Sequence, residues 1–205
     1  MRDMEGHLIF PGFVTAFDLE AMKTLIKEAL SKDNTQLQVT KCEIADVKYE
    51  PRKKCVLLYK TKIQDESAGK TWEQFVTGIL LQKNEVYAAG HEKEIFLKDQ
   101  KIILLPFPYD HILSWLPDMY HEDSVKTLLC RSRPKHSLIP SKVNTSLLIY
   151  KPQMRATFQY EIFAENRKTG ATDWHHWIAK TNVFRSSKRV FANYWALWKA
   201  SKGKI

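Results

Sequence analysis

The sequence predicts an α+β fold of two tandem units, residues 1–104 and 105–205, each a helix followed by an antiparallel sheet. Three observations support this class. The stretch "YEPRKKCVLLY" at 49–59 has a counterpart, "YKPQMRATFQY", whose first tyrosine lies 101 positions later. Apolar residues at helical spacing precede both stretches, and alternating apolar residues follow them. The repeat with a fixed offset predicts an internal duplication.

The first unit begins with a predicted helix whose N-cap is Asp18. Its apolar residues fall on one face, as in a helix packed on a core; they are Met22, Leu25, Ile26 and Leu30. The matching helix of the second unit is predicted near 121–130. Its apolar residues are Val125, Leu128 and Leu129.

Three strands are predicted after each helix. In the first unit "CEIADVKY" leads to a turn at "EPRK", "CVLLYKTKI" returns from it, and "TWEQFVTGILL" follows a turn at Gly69. One face of the middle strand collects Cys55, Leu57, Tyr59 and Ile63. The second unit repeats this order with "NTSLLIY", "RATFQYEIF" and "DWHHWIAKTNVF". A helix followed by a meander that wraps around it is a cystatin-like arrangement.

The two repeated stretches have a local structural explanation. Each has a proline two places after its first tyrosine, which favours a tight turn. We expect this turn to hold the two tyrosines of each stretch on neighbouring strands, paired across the sheet. A further hairpin is predicted at 94–107, turning at 98–100.

A last helix is predicted over 188–200, after an N-cap at Ser186 or Ser187. More than half of its circumference is occupied by aromatic residues, namely Phe191, Tyr194, Trp195 and Trp198. A helix that is apolar nearly all round needs burial on two sides. We therefore expect these four residues to dock against a protein partner or a further domain.

Composition narrows the class of protein. The content of 44% hydrophobic and 27% charged residues is typical of a soluble globular protein. No apolar run is long enough to span a bilayer, and the N-terminus lacks a signal-peptide pattern, so a cytoplasmic location is predicted. The three widely spaced cysteines form no CxxC motif and fit reduced thiols. The net charge of +9 comes from short basic groups spread along the chain.

Few residues indicate chemistry. Walker-type, GxGxxG, GxSxG and HExxH motifs are absent. His175 and His176 are adjacent on a predicted strand, so they point to opposite faces and cannot chelate one ion. The acidic residues of "HED" at 121–123 suit a helix start. Lys180 ends an apolar strand just before a helix, where kinase-like folds hold a phosphate-binding lysine. No catalytic residue and no metal ligand is predicted.

These residues resemble a known family. "KYEPRKKCVLLY" looks like the "RYKPxRRCVLRY" phrase in the N-terminal regions of aminoglycoside-phosphotransferase/maltokinase-like proteins, which have a protein-kinase-like fold, and "LIYKPQMRATFQY" is a second version. In that group a glycine hairpin, a strand ending in lysine and a helix follow, much as here. The resemblance implies a cystatin-like cap followed by a kinase-like N-lobe. It also implies that Lys180 contacts nucleotide phosphates, with Arg155 and Lys151 nearby.

The sequence also departs from that group. The aspartates that catalyse transfer and hold the metal belong to a C-terminal lobe, so ATP and Mg²⁺ are expected to act only with such a lobe. Neither is expected to be needed for folding. The segment 188–200 contains no acidic residue to pair with Lys180, and Ile79 stands at the matching position of the first unit. We expect these residues alone to be inactive, and the small-molecule acceptor stays open.

Two alternative functions fit the same sequence. The chain could be a non-catalytic, cystatin-like scaffold that binds a protein through its last helix. The excess of basic residues and the interleaved aromatics also fit a nucleic-acid-binding protein, which would show steeply salt-dependent binding. Inhibition of proteases is disfavoured because no QxVxG loop is present.

Overall fold

The computed structural model describes residues 9–31, 36–88, 93–132 and 138–183. These residues divide into two compact units, and the boundary lies between His111 and Ile112. The sequence puts the boundary after residue 104, which lies inside a strand of the first sheet. The difference arises because that strand completes the first unit. The α+β class with antiparallel sheets is confirmed.

In the described part of the first unit, two helices come before the strands: α1 (Phe13–Phe17) and α2 (Leu19–Leu30). The Asp18 carboxylate accepts hydrogen bonds from the backbone N–H groups of Glu20 and Ala21, which confirms it as the N-cap of α2. The predicted apolar stripe of α2 is also confirmed, since Met22 and Ile26 are fully buried. The five-residue helix α1 was not predicted, because it is too short to show a helical period.

Among the described residues, the first sheet has five antiparallel strands in the order β1-β2-β3-β5-β4. Their bounds are β1 Leu37–Glu50, β2 Lys54–Asp65, β3 Lys70–Leu80, β4 Ile95–Leu97 and β5 Ile102–Pro106. The hairpin formed by β4 and β5 turns through 98–101 and confirms the predicted one. Two cysteines belong to this sheet: Cys55 is buried and Cys42 is half-buried.

Both faces of the first sheet are buried near the proline turn. The inner face, which packs on α2, carries the four predicted residues of β2 and confirms them as core. The outer face has a second apolar cluster, formed by Val56, Ile79, Leu81, Ile103 and Leu105. Tyr87, Phe96 and Tyr109 pack against this cluster. The sequence predicts only the inner cluster, so the covering of the outer face is a finding of the structure.

Within its described residues, the second unit contains two helices and one three-stranded antiparallel sheet, in the order β6-β7-β8. Its elements are α3 Leu116–Tyr120, α4 Glu122–Ser132, β6 Leu138–Lys151, β7 Arg155–Asn166 and β8 Thr172–Asn182. Helix α4 lies where a helix is predicted, and Val125 is buried as expected. Leu128, however, is exposed, so the predicted apolar stripe is narrower than expected. Cys130, on α4, is exposed.

The two units share their strand register. Lys60 lies opposite Phe75 in the first ladder, and Glu161 lies opposite His176, 101 positions later on both strands, in the second. The turns match as well, since Arg52 and Gln153 have φ values of 58° and 59°. Proline followed by positive φ is the combination of a type II turn. The units are therefore alike in geometry, while their descent from a duplication stays a prediction.

The predicted pairing of the two tyrosines across the sheet is wrong. Tyr49 lies opposite Cys55, and Tyr59 lies opposite Ile44. The second tyrosine of each stretch instead joins the sheet to the helices. The Tyr59 hydroxyl donates to the carbonyl of Ala16 at 2.7 Å, and the Tyr160 hydroxyl donates to that of Met119, also at 2.7 Å. A long-range partner of this kind cannot be read from strand alternation.

The predicted C-terminal helix and its four aromatic residues, Phe191, Tyr194, Trp195 and Trp198, lie outside the described residues. Among the helices that are described, none is long and apolar enough to cross a membrane.

Candidate phosphate-binding face

The three predicted nucleotide contacts lie at one end of the second sheet. Lys151 is the last residue of β6, and it lies directly opposite Arg155, the first residue of β7. Lys180 lies near the end of β8, opposite Thr157. The sequence dictates this arrangement because the turn at 152–154 is so short that its flanking residues must begin the ladder as a pair.

The three cations share the outer face, which is the face away from α3 and α4. Opposite residues of an antiparallel ladder share a face, and so do residues two apart on one strand. Lys151 is therefore on the same face as Arg155. Lys180 is a diagonal neighbour of Arg155, because Arg155 lies opposite Asn182, and such residues are roughly 7–8 Å apart, with their Cβ atoms somewhat closer. The neighbouring residues of β7, Ala156 and Phe158, are buried on the inner face.

No carboxylate neutralises this group within the part of the chain that the structure describes, since none of the three cations forms an ion pair there. Lys180 is exposed, while Lys151 and Arg155 are half-buried. Like charges held close together repel each other, and a bound anion removes that repulsion. The arrangement is therefore suited to binding a phosphate group.

Apolar side chains adjoin the cations on the same face. Ile149 of β6 and Ile178 of β8 are 45% and 64% exposed. Both lie close to Lys180. Ile149 and Lys180 lie opposite Thr157 from its two sides, and Ile178 is two residues before Lys180. A ligand with both an anionic and an apolar part matches this end of the face.

The middle of the outer face has a different character. Glu161 lies opposite His176, with 3.9 Å between Oε1 and Nδ1, and the Asn144 amide donates to Glu161 Oε2 at 3.4 Å. His175 lies opposite Ile162, so the two adjacent histidines point to opposite faces, as expected. The positive end of the face is thus separated by an acidic middle from Lys142 near the other end.

The matching end of the first unit is filled rather than open. By the common register, Glu50, Lys54 and Ile79 correspond to Lys151, Arg155 and Lys180. Ile79 is only 8% exposed and belongs to the outer apolar cluster. Burial lowers the pKa of Lys54, and Lys48 lowers it further. The first unit therefore has no comparable group of exposed cations at this position.

A second polar group lies in the first unit. The sequence gives no indication of it. The Glu94 carboxylate is fully buried, accepts a hydrogen bond from the Tyr87 hydroxyl at 3.1 Å and lies 2.5 Å from His111 Nε2. The Tyr87 ring stacks on Phe96, with 4.3 Å between centroids. Burial raises the pKa of Tyr87, and the bond to Glu94 adds to the increase. These contacts hold the cover of the outer cluster in place, which is a structural role.

The acidic residues of "HED" behave as a helix start. Glu122 and Asp123 lie in the first turn of α4, and Asp123 is 3.8 Å from Lys126. Asp123 also lines an open cavity of about 300 Å³, together with Asp118, Ser124, Thr127 and Leu128. Nothing among these side chains is a nucleophile activated by a neighbouring base.

Among the described residues, no group of three or more histidine, cysteine, aspartate or glutamate side chains could hold a metal ion. Comparisons with protein-family models, with curated proteins and with solved structures find no match to the chain. The resemblance to phosphotransferases therefore stays a prediction from the quoted motifs. The fold and site together define a two-unit α+β protein with a group of three exposed or half-buried cations on its second sheet.

Proposed function

We propose that the chain supplies nucleotide-phosphate contacts to an ATP-dependent small-molecule phosphotransferase. In this proposal the second unit acts as a kinase-like N-lobe and the first as a cap. The observation that supports it most directly is the group formed by Lys151, Arg155 and Lys180. These cations share one face and one end of a sheet, and they form no ion pair within the described ranges.

The role of these side chains is electrostatic. Phosphoryl transfer depends mainly on positioning and on stabilising the charge of the phosphate oxygens. Lys180 would pair with phosphate oxygens, and Arg155 and Lys151 would hold the rest of the phosphate chain. The carboxylates that bind Mg²⁺ and orient the acceptor would come from a C-terminal kinase-like lobe. Without that lobe, we expect binding of nucleotide but no transfer.

Calorimetric titration of the full chain with Mg-ATP tests the proposal. Lys180→Ala should weaken binding by roughly tenfold or more, because a hydrogen bond to a charged group contributes about 1.5–3 kcal/mol. Lys142→Ala is the matched control, since it removes the same charge from the other end of the same face. If both variants bind like the unaltered chain, or if the unaltered chain binds no Mg-ATP, the proposal fails.

A second titration separates a nucleotide site from a nucleic-acid surface. A single-stranded oligonucleotide bound along the face would contact Lys142 as well as Lys180, and its affinity would fall steeply with salt. Mg-ATP at the proposed site would be affected by Lys180→Ala and not by Lys142→Ala. Tight oligonucleotide binding that both substitutions weaken equally would favour nucleic acid instead.

A further inference from the structure

The edges of the two sheets differ in how they are protected from pairing with another chain. The ladder of β1 has two register shifts, and that of β6 also has two, with Pro140 at one of them. Strand β4 has only three residues. Bulges, prolines and short length all prevent an edge strand from serving as a template for a further strand.

Strand β8 has none of these features. It has 11 residues, its ladder with β7 continues without a register shift, and it contains neither proline nor glycine. Across the described ranges, no strand pairs with the side of β8 opposite β7, which we call the β8 edge. A long, uninterrupted edge of this kind is a ready site for an added strand.

The first unit shows that an edge with this register accepts an antiparallel strand. Strand β5 pairs with β3 over Val76–Leu80. By the common register these positions correspond to 177–181 in β8. Added-strand pairing therefore agrees with the geometry of this type of sheet.

Two exposed apolar residues of β8 indicate which strand is added. Trp174 is 42% exposed and Ile178 is 64% exposed, and both lie on the outer face. They are placed symmetrically about His176. A two-fold axis midway between the His176 residues of two copies, perpendicular to the sheet, would place Trp174 opposite Ile178 of the partner subunit, and the reverse. Pairs of an aromatic with a β-branched residue are favourable across an antiparallel ladder.

We propose that two copies of the chain associate through antiparallel pairing of their β8 edges, about a two-fold axis at His176. This pairing joins the two three-stranded sheets into one. It also covers Trp174 and Ile178 of both copies, in two equivalent pairs. The Trp174 ring is already held by Phe163, with 5.2 Å between centroids. The proposal does not depend on nucleotide binding, because Lys180 stays on the outer face.

Sedimentation of the full chain over a dilution series tests the association. Ile178→Lys should raise the dissociation constant of the dimer by about tenfold or more, because each dimer would gain two charges at apolar pairs. Ile149→Lys is the matched control: it alters an exposed isoleucine on the same face, on β6 and away from the β8 edge. A chain that is monomeric at every concentration, or equal effects of the two substitutions, would overturn the proposal.

A disulfide tests the position of the axis. In a Cys130→Ser background, His176→Cys should cross-link two copies on mild oxidation, because directly opposite residues have Cα separations of about 4.5–5.5 Å, within disulfide range. Gln159→Cys, on β7 of the same face, should not cross-link. If the β8 edge is instead covered by a strand of the same chain, the protein will be a monomer with protected β8 amides and no cross-link, which contradicts the proposal.

Discussion

The outer faces of the two sheets share one strand register, but at equivalent positions one face is buried and the other is exposed. In the first unit Ile79 is buried under Tyr87, Phe96 and Tyr109, and strand β5 extends the sheet beyond β3. In the second unit the same position is Lys180, which is exposed. One ladder geometry therefore supports either a second apolar core or a group of surface cations, and the side chains on one face decide between them.

The residues at the equivalent positions of the two outer faces also differ in what they contribute, one to stability and the other to binding. A buried side chain such as Ile79 contributes through the apolar area it removes from water. An exposed cation contributes little to stability and is free to bind a ligand. We therefore expect equivalent substitutions in the two units to have unequal effects on the free energy of unfolding.

The largest expected effect comes from exchanging the two equivalent residues. Ile79→Lys places an unpaired charge in the outer apolar cluster and should lower the free energy of unfolding by roughly 3 kcal/mol or more. The reciprocal change, Lys180→Ile, alters an exposed residue and should change it by no more than about 0.5 kcal/mol. Urea unfolding of both variants checks this. Similar losses in the two variants would contradict the burial of Ile79 and the exposure of Lys180.

A smaller effect is expected at the positions of Gly78 and Ala179, which match in the common register. A Cβ at Gly78 would lie 2.8 Å from Cε2 of Tyr59, whose ring is fully buried. Gly78→Ala should therefore cost about 1–3 kcal/mol through overpacking. In the second unit Ala179→Gly should cost about 0.5–1 kcal/mol, through chain entropy alone. A Gly78→Ala variant as stable as the unaltered protein would contradict the close contact.

Smaller losses than for Ile79→Lys and Gly78→Ala are expected when the two tyrosine hydroxyls are removed. Tyr59→Phe and Tyr160→Phe each remove a hydrogen bond to a helix carbonyl and should each cost about 0.5–1.5 kcal/mol. Urea unfolding near neutral pH measures both losses. A loss in Tyr59→Phe alone would show that only the first unit depends on this bond.

The same tyrosines predict a dependence on pH. Burial raises the pKa of Tyr160 to about 12 and also raises the pKa of Tyr59, while a tyrosine in an unfolded chain has a pKa of about 10. The tyrosine hydroxyls thus stay protonated to a higher pH in the folded state than in the unfolded state. This stabilisation is present below about pH 10 and is lost as the pH rises toward 12. From pH 9 upward, the free energy of unfolding should fall less steeply with pH in Tyr160→Phe than in the unaltered chain. Identical slopes would exclude this contribution.

Much of the fold could be predicted from local patterns. Alternation of apolar residues gives β2 and its partners, and Asp18 with the stripe after it gives α2. The shared register of the cations could also be predicted, because Lys151 and Arg155 flank a short turn. These features depend on residues that are close in sequence.

The features that sequence analysis missed depend on residues far apart along the chain. The cover of the first outer face comes from Tyr87 and Tyr109, which lie in segments without periodicity. The buried contact of Glu94 with His111 joins two such segments. The helix carbonyls that bind Tyr59 and Tyr160 belong to the short helices α1 and α3, which have too few residues to show a pattern.

The burial of Cys55 and the partial burial of Cys42 have a practical chemical consequence. Burial raises the pKa of both Cys42 and Cys55 to about 11, so at neutral pH much less of either thiol is ionised than of an ordinary cysteine. The thiolate is the form that alkylating reagents attack. Exposed Cys130, on α4, should therefore be modified first by a maleimide. A single fluorophore could then be attached to the second unit without altering the sequence.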